Sequence, residues 1–427
     1  MSKIDNDKSQ QAEAKKGIPS ILSKLKVLPG DRVLWAIVTM FFAISLVAVY
    51  TASSQLGFRE GTIDRELQRH FMTLCLSAVC LFGSYIIGAS KMYRYTVVAY
   101  FVCLLMTIAP YFIGGATNHA HRWLNLGFFR FQPSELLKIG TILFLAAQLS
   151  AKRDILGKLH LLPSTFDVRK WNTPREKEII KREVLPVVAP IALSCAVILP
   201  AHTSSAIHLF LISIAMLLIG GIRIREVGKL VMIAGVVGIT SMMVVGRGDT
   251  VISRVKNWMG AEKVEKKVGL DKYSDSDRSK MAVYNGGFVG VGAGKSVMRA
   301  RLTHPESDYL FAIVVEEFGI FVAFFIILLY LWLFFRALRI FQRSEWIYAG
   351  LLAVGLALLI TSQGFIHIAV ALGLFPETGQ NLPFLTQGRT GMFCASIAMG
   401  MILSMSRQIE QGTLVPPSAA TNPTKQL

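Results

Sequence analysis

The sequence predicts an all-α, polytopic membrane protein of about ten spanning helices, with a long extracytoplasmic loop between spans seven and eight. Three observations carry that expectation. Of 427 residues, 53% are hydrophobic and only 17% charged, against about 25% charged in soluble domains. The apolar residues fall in runs close to the ~20 needed to cross a bilayer. The Lys and Arg behind the net charge of +18 gather between those runs, as in cytoplasmic loops, and no arginine-rich helix or basic aromatic sheet motif points to nucleic acid.

Residues 1–32 are polar, with Lys15, Lys16, Lys24 and Lys26 ahead of the first apolar run. That run, Val33 to Ala52, is too long for a signal-peptide core and lacks a small-residue cleavage site, so it reads as an uncleaved first span. Further spans are expected near 70–89, 95–114, 134–151, 184–200, 204–222, 229–245, 308–335, 346–373 and 391–407. Only Pro200 to Thr203 separate the fifth from the sixth, a tight hairpin.

Ten spans return both termini to one side. Lys152 to Glu183 carries nine Lys or Arg, and the linkers Arg223–Lys229 and Arg336–Arg343 carry three each. All three fall on the N-terminal side, which the positive-inside rule makes cytoplasmic. The chain then divides into a cytoplasmic tail (1–32), a membrane domain (33–408) holding the external loop 246–307, and a Pro-containing disordered tail (409–427). The external loop is also basic. Its lysines are either simply solvated or draw in an anionic substrate. The five cysteines lie in apolar stretches without paired spacing and read as inert thiols.

Four stretches on the external side are unusually polar or glycine-rich. In the first, Arg122-Trp123-Leu124 precedes Phe131-Gln132-Pro133-Ser134-Glu135, then Lys138. Pro133 suits a first helical turn, and Glu135 and Lys138, three apart, share a helix face. Ionisable groups inside a span mark a pathway or site, or form a structural ion pair. His119 and His121 alone are a weak metal signal.

The second, Asn285 to Ser296, ends in Gly294-Lys295-Ser296 but fails the P-loop pattern, because Val289 stands where its first glycine belongs. Its glycines either admit a ligand to the backbone, with Lys295 adding charge, or only make turns. The third, His304-Pro305-Glu306-Ser307-Asp308-Tyr309, leads into a helix carrying Glu316 and Glu317. Asp308 there is either a helix-capping anion or a base shielded from bulk water. The fourth, Gly373 to Thr390, holds two prolines and cannot be continuous helix, so at membrane depth it must pack in protein or line a cavity.

In order and spacing these stretches resemble the SEDS family of FtsW- and RodA-type peptidoglycan polymerases, over residues 33 to 408. The motifs are RWL-LG…RFQPSE-xx-K, NGG-x-x-G-x-G-x-G-x-S, SD-[FY]-x-[FY]-A-x-x-x-EE-x-G and GL-x-P-x-TGQ-x-LPF. The resemblance implies glycosyl transfer that polymerises lipid II on the outer face of the bacterial inner membrane. It assigns Asp308 as the essential aspartate and general base. Arg122, Lys138 and Lys295 become candidates for the leaving pyrophosphate, with Mg or Mn as a candidate cofactor. Glu135 would orient Lys138, and Ser296 and Arg389 complete the expected substrate-binding set. A class B penicillin-binding protein transpeptidase, other divisome proteins and membrane lipids are the implied partners.

Two departures from the family stand out. The hairpin Pro200-Ala201-His202-Thr203-Ser204-Ser205 lacks the acid of Gln-Pro-Asp-Leu-Gly-Thr-Ser, and Thr386-Gln387-Gly388-Arg389-Thr390-Gly391 replaces Ser-Tyr-Gly-Gly-Ser-Ser. The TGQ-x-LP form leans to the FtsW type, hence to division at the septum, with the RodA type as the alternative. A lipid II flippase and a non-catalytic division scaffold are the rival readings from other classes.

Overall fold

The computed structural model describes residues 29–60, 63–113, 123–125, 130–153, 178, 180–244, 248–259, 273–303, 305–386 and 388–414. Apolar runs form helices because a spanning segment must satisfy every backbone group internally. They are α1 (Arg32–Glu60), α2 (Ile63–Ile86), α3 (Ala89–Ile108), α4 (Pro133–Ala151), α5 (Leu185–Ile198), α6 (Thr203–Ile219), α7 (Ile224–Val244), α8 (Gly248–Trp258), α9 (Asp275–Gly286), α10 (Leu310–Arg343), α11 (Ile347–Ala371) and α12 (Arg389–Glu410). Eight of these are long and apolar enough to cross a membrane, against the ten expected; the other two expected segments fall on the shorter helices α5 and α6, of 14 and 17 residues. The protein is an integral membrane protein.

Burial sorts the spans. The most hydropathic windows of α4, α11 and α12 are 72%, 78% and 78% buried, so these three form the centre; that of α7 is 17% buried and lies at the periphery. The centre is tightly built: a Cβ on Gly400 of α12 would stand 2.1 Å from Ser84 Oγ of α2. Side-chain bonds tie the helix ends together on each face. On the N-terminal face Arg336 Nε donates to Asp31 Oδ2 at 2.6 Å, and Gly30 N donates to Glu410 Oε2 at 2.6 Å. On the opposite face Gln132 N donates to Thr390 Oγ1 at 3.1 Å, and Trp258 Nε1 to Gly373 O at 2.8 Å. All four motif stretches belong to this second face.

Two features differ from the sequence expectation. Among its described residues the stretch 246–307 contains two helices, the amphipathic α8 and the Ser274-capped α9, as well as a short 3-10 turn at Met298–Arg301. Short polar helices of this kind leave little mark in hydropathy. Second, α10 runs 34 residues, or roughly 51 Å at about 1.5 Å per residue, and so passes through the predicted basic linker. It is not one helix: at Gly319 (φ 80°, ψ 178°) the path breaks.

The glycine loop after α9 heals that break. Val291 N and Gly292 N donate to the carbonyls of Glu316 and Glu317 at 2.9 and 3.0 Å, and Ile320 N donates to Gly287 O at 3.0 Å. Backbone groups released by the kink therefore have partners. So close an approach needs bare Cα atoms. A Cβ on Gly286 would stand 2.1 Å from Val315 O, and one on Gly290 2.2 Å from Glu317 O.

Candidate active site

Pro133 opens α4, as its fixed φ favours, and sets Glu135 in the first turn. One turn deeper, Lys138 is 0% exposed and its Nζ lies 2.8 Å from Glu135 Oε1. An ammonium buried without a partner would be strongly unfavourable, so this pairing is what lets a cation exist there. Lys138 Nζ also donates to Gln363 Oε1 of α11 at 3.3 Å, and Gln363 Nε2 donates to Asn381 O at 3.2 Å. The ion pair is thus wired to the broken segment after α11. A void of about 10 Å³ beside Glu135, walled by Gln363, Pro383 and Cys394 among others, is near the size of one water.

The broken segment turns at Gly373 (φ 70°) and Gly379 (φ 62°), and Phe384 takes the left-handed conformation too (φ 68°). Its backbone is held from behind: His367 Nδ1 lies 2.9 Å from Gln380 O, and Gln380 Nε2 donates to Ser205 Oγ at 3.1 Å. Ser205 also bonds His202 Nδ1. In front lies a cavity of about 310 Å³, within the range of small-molecule sites. Its polar wall includes His202, Ser204, His208, Arg254, Glu377 and Gln380, and its apolar wall includes Ile207, Leu211, Met242 and Phe375. The segment does what its prolines and glycines predicted: it lines a cavity.

Asp308 lies half-buried in the turn that precedes α10. Its neighbour Tyr309 is 3% exposed, packed with Leu302, Ile313 and Val370. The Tyr309 hydroxyl donates to Glu377 Oε1 at 2.5 Å, which joins the junction to the cavity rim. Burial, then the carboxylates of Glu377, Asp275 and Asp308, push the phenol far above its ordinary range, so it stays protonated as the donor. Arg254 Nη1 donates to Glu377 O at 3.3 Å, tying α8 to the same rim.

The structure brings Glu135 and Lys138 together as their spacing implied. Arg389 is half-buried in the first turn of α12, next to Thr390, whose hydroxyl donates to Arg130 O at 3.3 Å. Lys295 is exposed at the end of the glycine loop. Ser296 is 0% exposed and its hydroxyl is engaged by Glu316 Oε2, an anchoring contact instead of the open ligand position expected of it. Glu316 gathers further donors from Val297 N (3.3 Å), Met298 N (3.4 Å) and Asn285 Nδ2 (3.4 Å). Glu317 faces the buried Arg299 guanidinium at 3.7 Å. Arg122, His119 and His121 lie outside the described residues. Glu377, Tyr309 and Gln380 join the site with no sequence signal beyond their place in the third and fourth stretches, and His202 with none beyond its place in the hairpin; nothing in the sequence marks His208 or Arg254. Among the described residues no three His, Cys, Asp or Glu side chains converge as metal ligands.

Residues 31–411 match the model of the FtsW/RodA/SpoVE family, described as a cell cycle protein. The chain belongs to this family. Curated relatives named "Probable peptidoglycan glycosyltransferase FtsW" include one from Haemophilus influenzae, 26% identical over 88% of this chain and 90% of its own length. Another, from Polynucleobacter necessarius, is 27% identical over 94% of this chain and 90% of its own. Among solved structures, the fold matches one described as "Structural coordination of polymerization and crosslinking by a peptidoglycan synthase complex", with TM-score 0.64, 18% identity and coverage of 89% and 98% of the two chains. It also matches the rod shape determining protein RodA of Thermus thermophilus, with TM-score 0.58, 19% identity and coverage of 90% and 98%. Family membership and the fold of the family's known structures therefore agree with the motif resemblance.

Proposed function

We propose that this protein is a peptidoglycan glycosyltransferase that polymerises lipid II at the outer face of the bacterial cytoplasmic membrane. The observation that carries the reading is the cavity on the motif-bearing face, whose rim residue Glu377 is bonded to the neighbour of Asp308. The names of the FtsW relatives support the activity and favour septal synthesis over the RodA-type role. On this reading both termini are cytoplasmic, in keeping with the basic linkers on their side.

The chemistry is a displacement at the donor sugar. Asp308 takes the proton from the acceptor 4-hydroxyl as its oxygen bonds to the donor's anomeric carbon. The bond from that carbon to pyrophosphate breaks, the lipid pyrophosphate leaves with the electron pair, and configuration inverts. Charge gathering on the leaving group calls for fixed cations. Lys138, held by Glu135, Arg122 at the head of the first motif, Arg389 at the start of α12 and the exposed Lys295 are the candidates. Among the described residues no carboxylates gather as a cage for Mg or Mn. A class B penicillin-binding protein is the proposed partner that cross-links the strand, among other divisome proteins in the same membrane.

The test is reconstitution of the purified protein with its transpeptidase partner and labelled lipid II. Glycan strands are the expected product. Translocation of lipid II across liposomes without polymer would replace this reading by the flippase, and neither activity would leave the scaffold reading.

A further inference from the structure

We propose that Glu377 is a positioning residue for Asp308, acting through the Tyr309 hydroxyl; the inference rests on Asp308 being the base of the reaction proposed above. Tyr309 is the last residue before α10 and follows Asp308 directly, so whatever fixes its ring fixes the turn that carries the aspartate. Two contacts fix it. The ring is packed among Leu302, Ile313 and Val370. The hydroxyl at the far end donates to Glu377 Oε1 at 2.5 Å, which ties that end of the ring to the rim. A phenol donating to a carboxylate is a charge-assisted bond, stronger than a neutral one.

The other end of the link is also held. Glu377 stands between Pro376 and Thr378 on the cavity rim, and its own carbonyl accepts from Arg254 of α8 at 3.3 Å. Trp258 of the same helix donates to Gly373 O at 2.8 Å. The chain α8 to rim to Tyr309 to Asp308 thus couples the base to the wall of the cavity that receives the substrate. Nothing in the SD-[FY] motif demands this, since it accepts Phe at the Tyr309 position. The hydroxyl and the carboxylate at 377 form a pair that this sequence supplies itself.

A double-mutant cycle on the reconstituted full-length protein tests the proposal, with lipid II polymerisation as readout and detergent-phase melting as the folding control. Tyr309→Phe and Glu377→Ala should each lower kcat about tenfold with KM little changed, the signature of a misplaced catalytic group. The double variant should be no slower than either single one, because both remove the same bond. Glu377→Gln keeps an acceptor and should recover most of the rate.

Independent, multiplying losses would overturn the positioning role, as would a rise in KM at constant kcat, which would make Glu377 a substrate contact. Wild-type rates in both single variants would overturn it as well. If Asp308→Asn itself polymerises at the wild-type rate, the assignment of the base has failed, and the positioning role falls with it. If Asp308→Asn is inert while Glu377→Ala is fully active, only the positioning role has failed.

Discussion

Two irregular, glycine-containing stretches on the same face of the protein have opposite uses. Residues 286–296 press their bare Cα atoms against the backbone of α10 and repair its kink at Gly319. Residues 373–388 leave their concave side open, and a cavity of about 310 Å³ lies against its first half. Both contain glycines, five in the first and three in the second. What separates them is the destination of their backbone groups: the first stretch pairs with the backbone of a neighbouring helix, whereas the second is held by side chains, His367, Gln363, Arg254 and Trp258, and borders a cavity.

Substitution at one glycine in each stretch should break the comparison most sharply. Gly290 has φ +87° and a Cβ there would overlap Glu317 O. Gly290→Ala should prevent recovery of folded, monodisperse protein from membranes, since backbone cannot give way as a side chain can. At Gly379 (φ +62°) the nearest atom to a new Cβ is His202 Nε2 at 3.6 Å. Gly379→Ala should therefore fold, losing about 1–2 kcal/mol from left-handed strain alone, and its effect should appear in KM. Equal losses of folded protein in the two variants would remove the distinction.

The ion pair behind the second stretch gives the next largest effect. Glu135→Gln leaves the Lys138 ammonium buried beside Gln363 without its counter-charge, and should cost about 3–5 kcal/mol in unfolding measurements. The double change Glu135→Leu with Lys138→Met should recover much of that stability while polymerisation stays lost. Recovery of activity with stability would make the pair structural only. Smallest is Lys295→Ala: an exposed loop cation should leave melting unchanged within about 0.5 kcal/mol. If it meets the pyrophosphate, KM should rise about two- to fivefold, and the wild type should lose affinity more steeply than the variant as salt is raised.

Hydropathy carried the fold far into legibility. The eight helices able to span lie close to where apolar runs put them, because length and composition alone decide whether a segment can cross lipid. The same signal is silent once a helix leaves the membrane, so α8, α9 and the C-terminal end of α10 went unread. Glu135 with Lys138 was visible from a three-residue spacing, since a helix fixes that geometry locally. Tyr309 with Glu377 was not, because 68 residues separate them and no periodicity encodes a meeting of two loops. Ser296 was visible as a motif position, but its buried hydroxyl bond to Glu316 of the chain itself was not. The kink at Gly319 belongs with these, since a single glycine in an apolar run signals nothing until a second backbone lies against it.

The central claim is that Asp308 receives the acceptor's proton. Its most direct test is single-turnover polymerisation of lipid II by the reconstituted protein carrying Asp308→Asn, with lipid II binding measured on the same preparation. The account predicts retained binding and melting with no detectable glycan strand. Strands formed at the wild-type rate by that variant would contradict it.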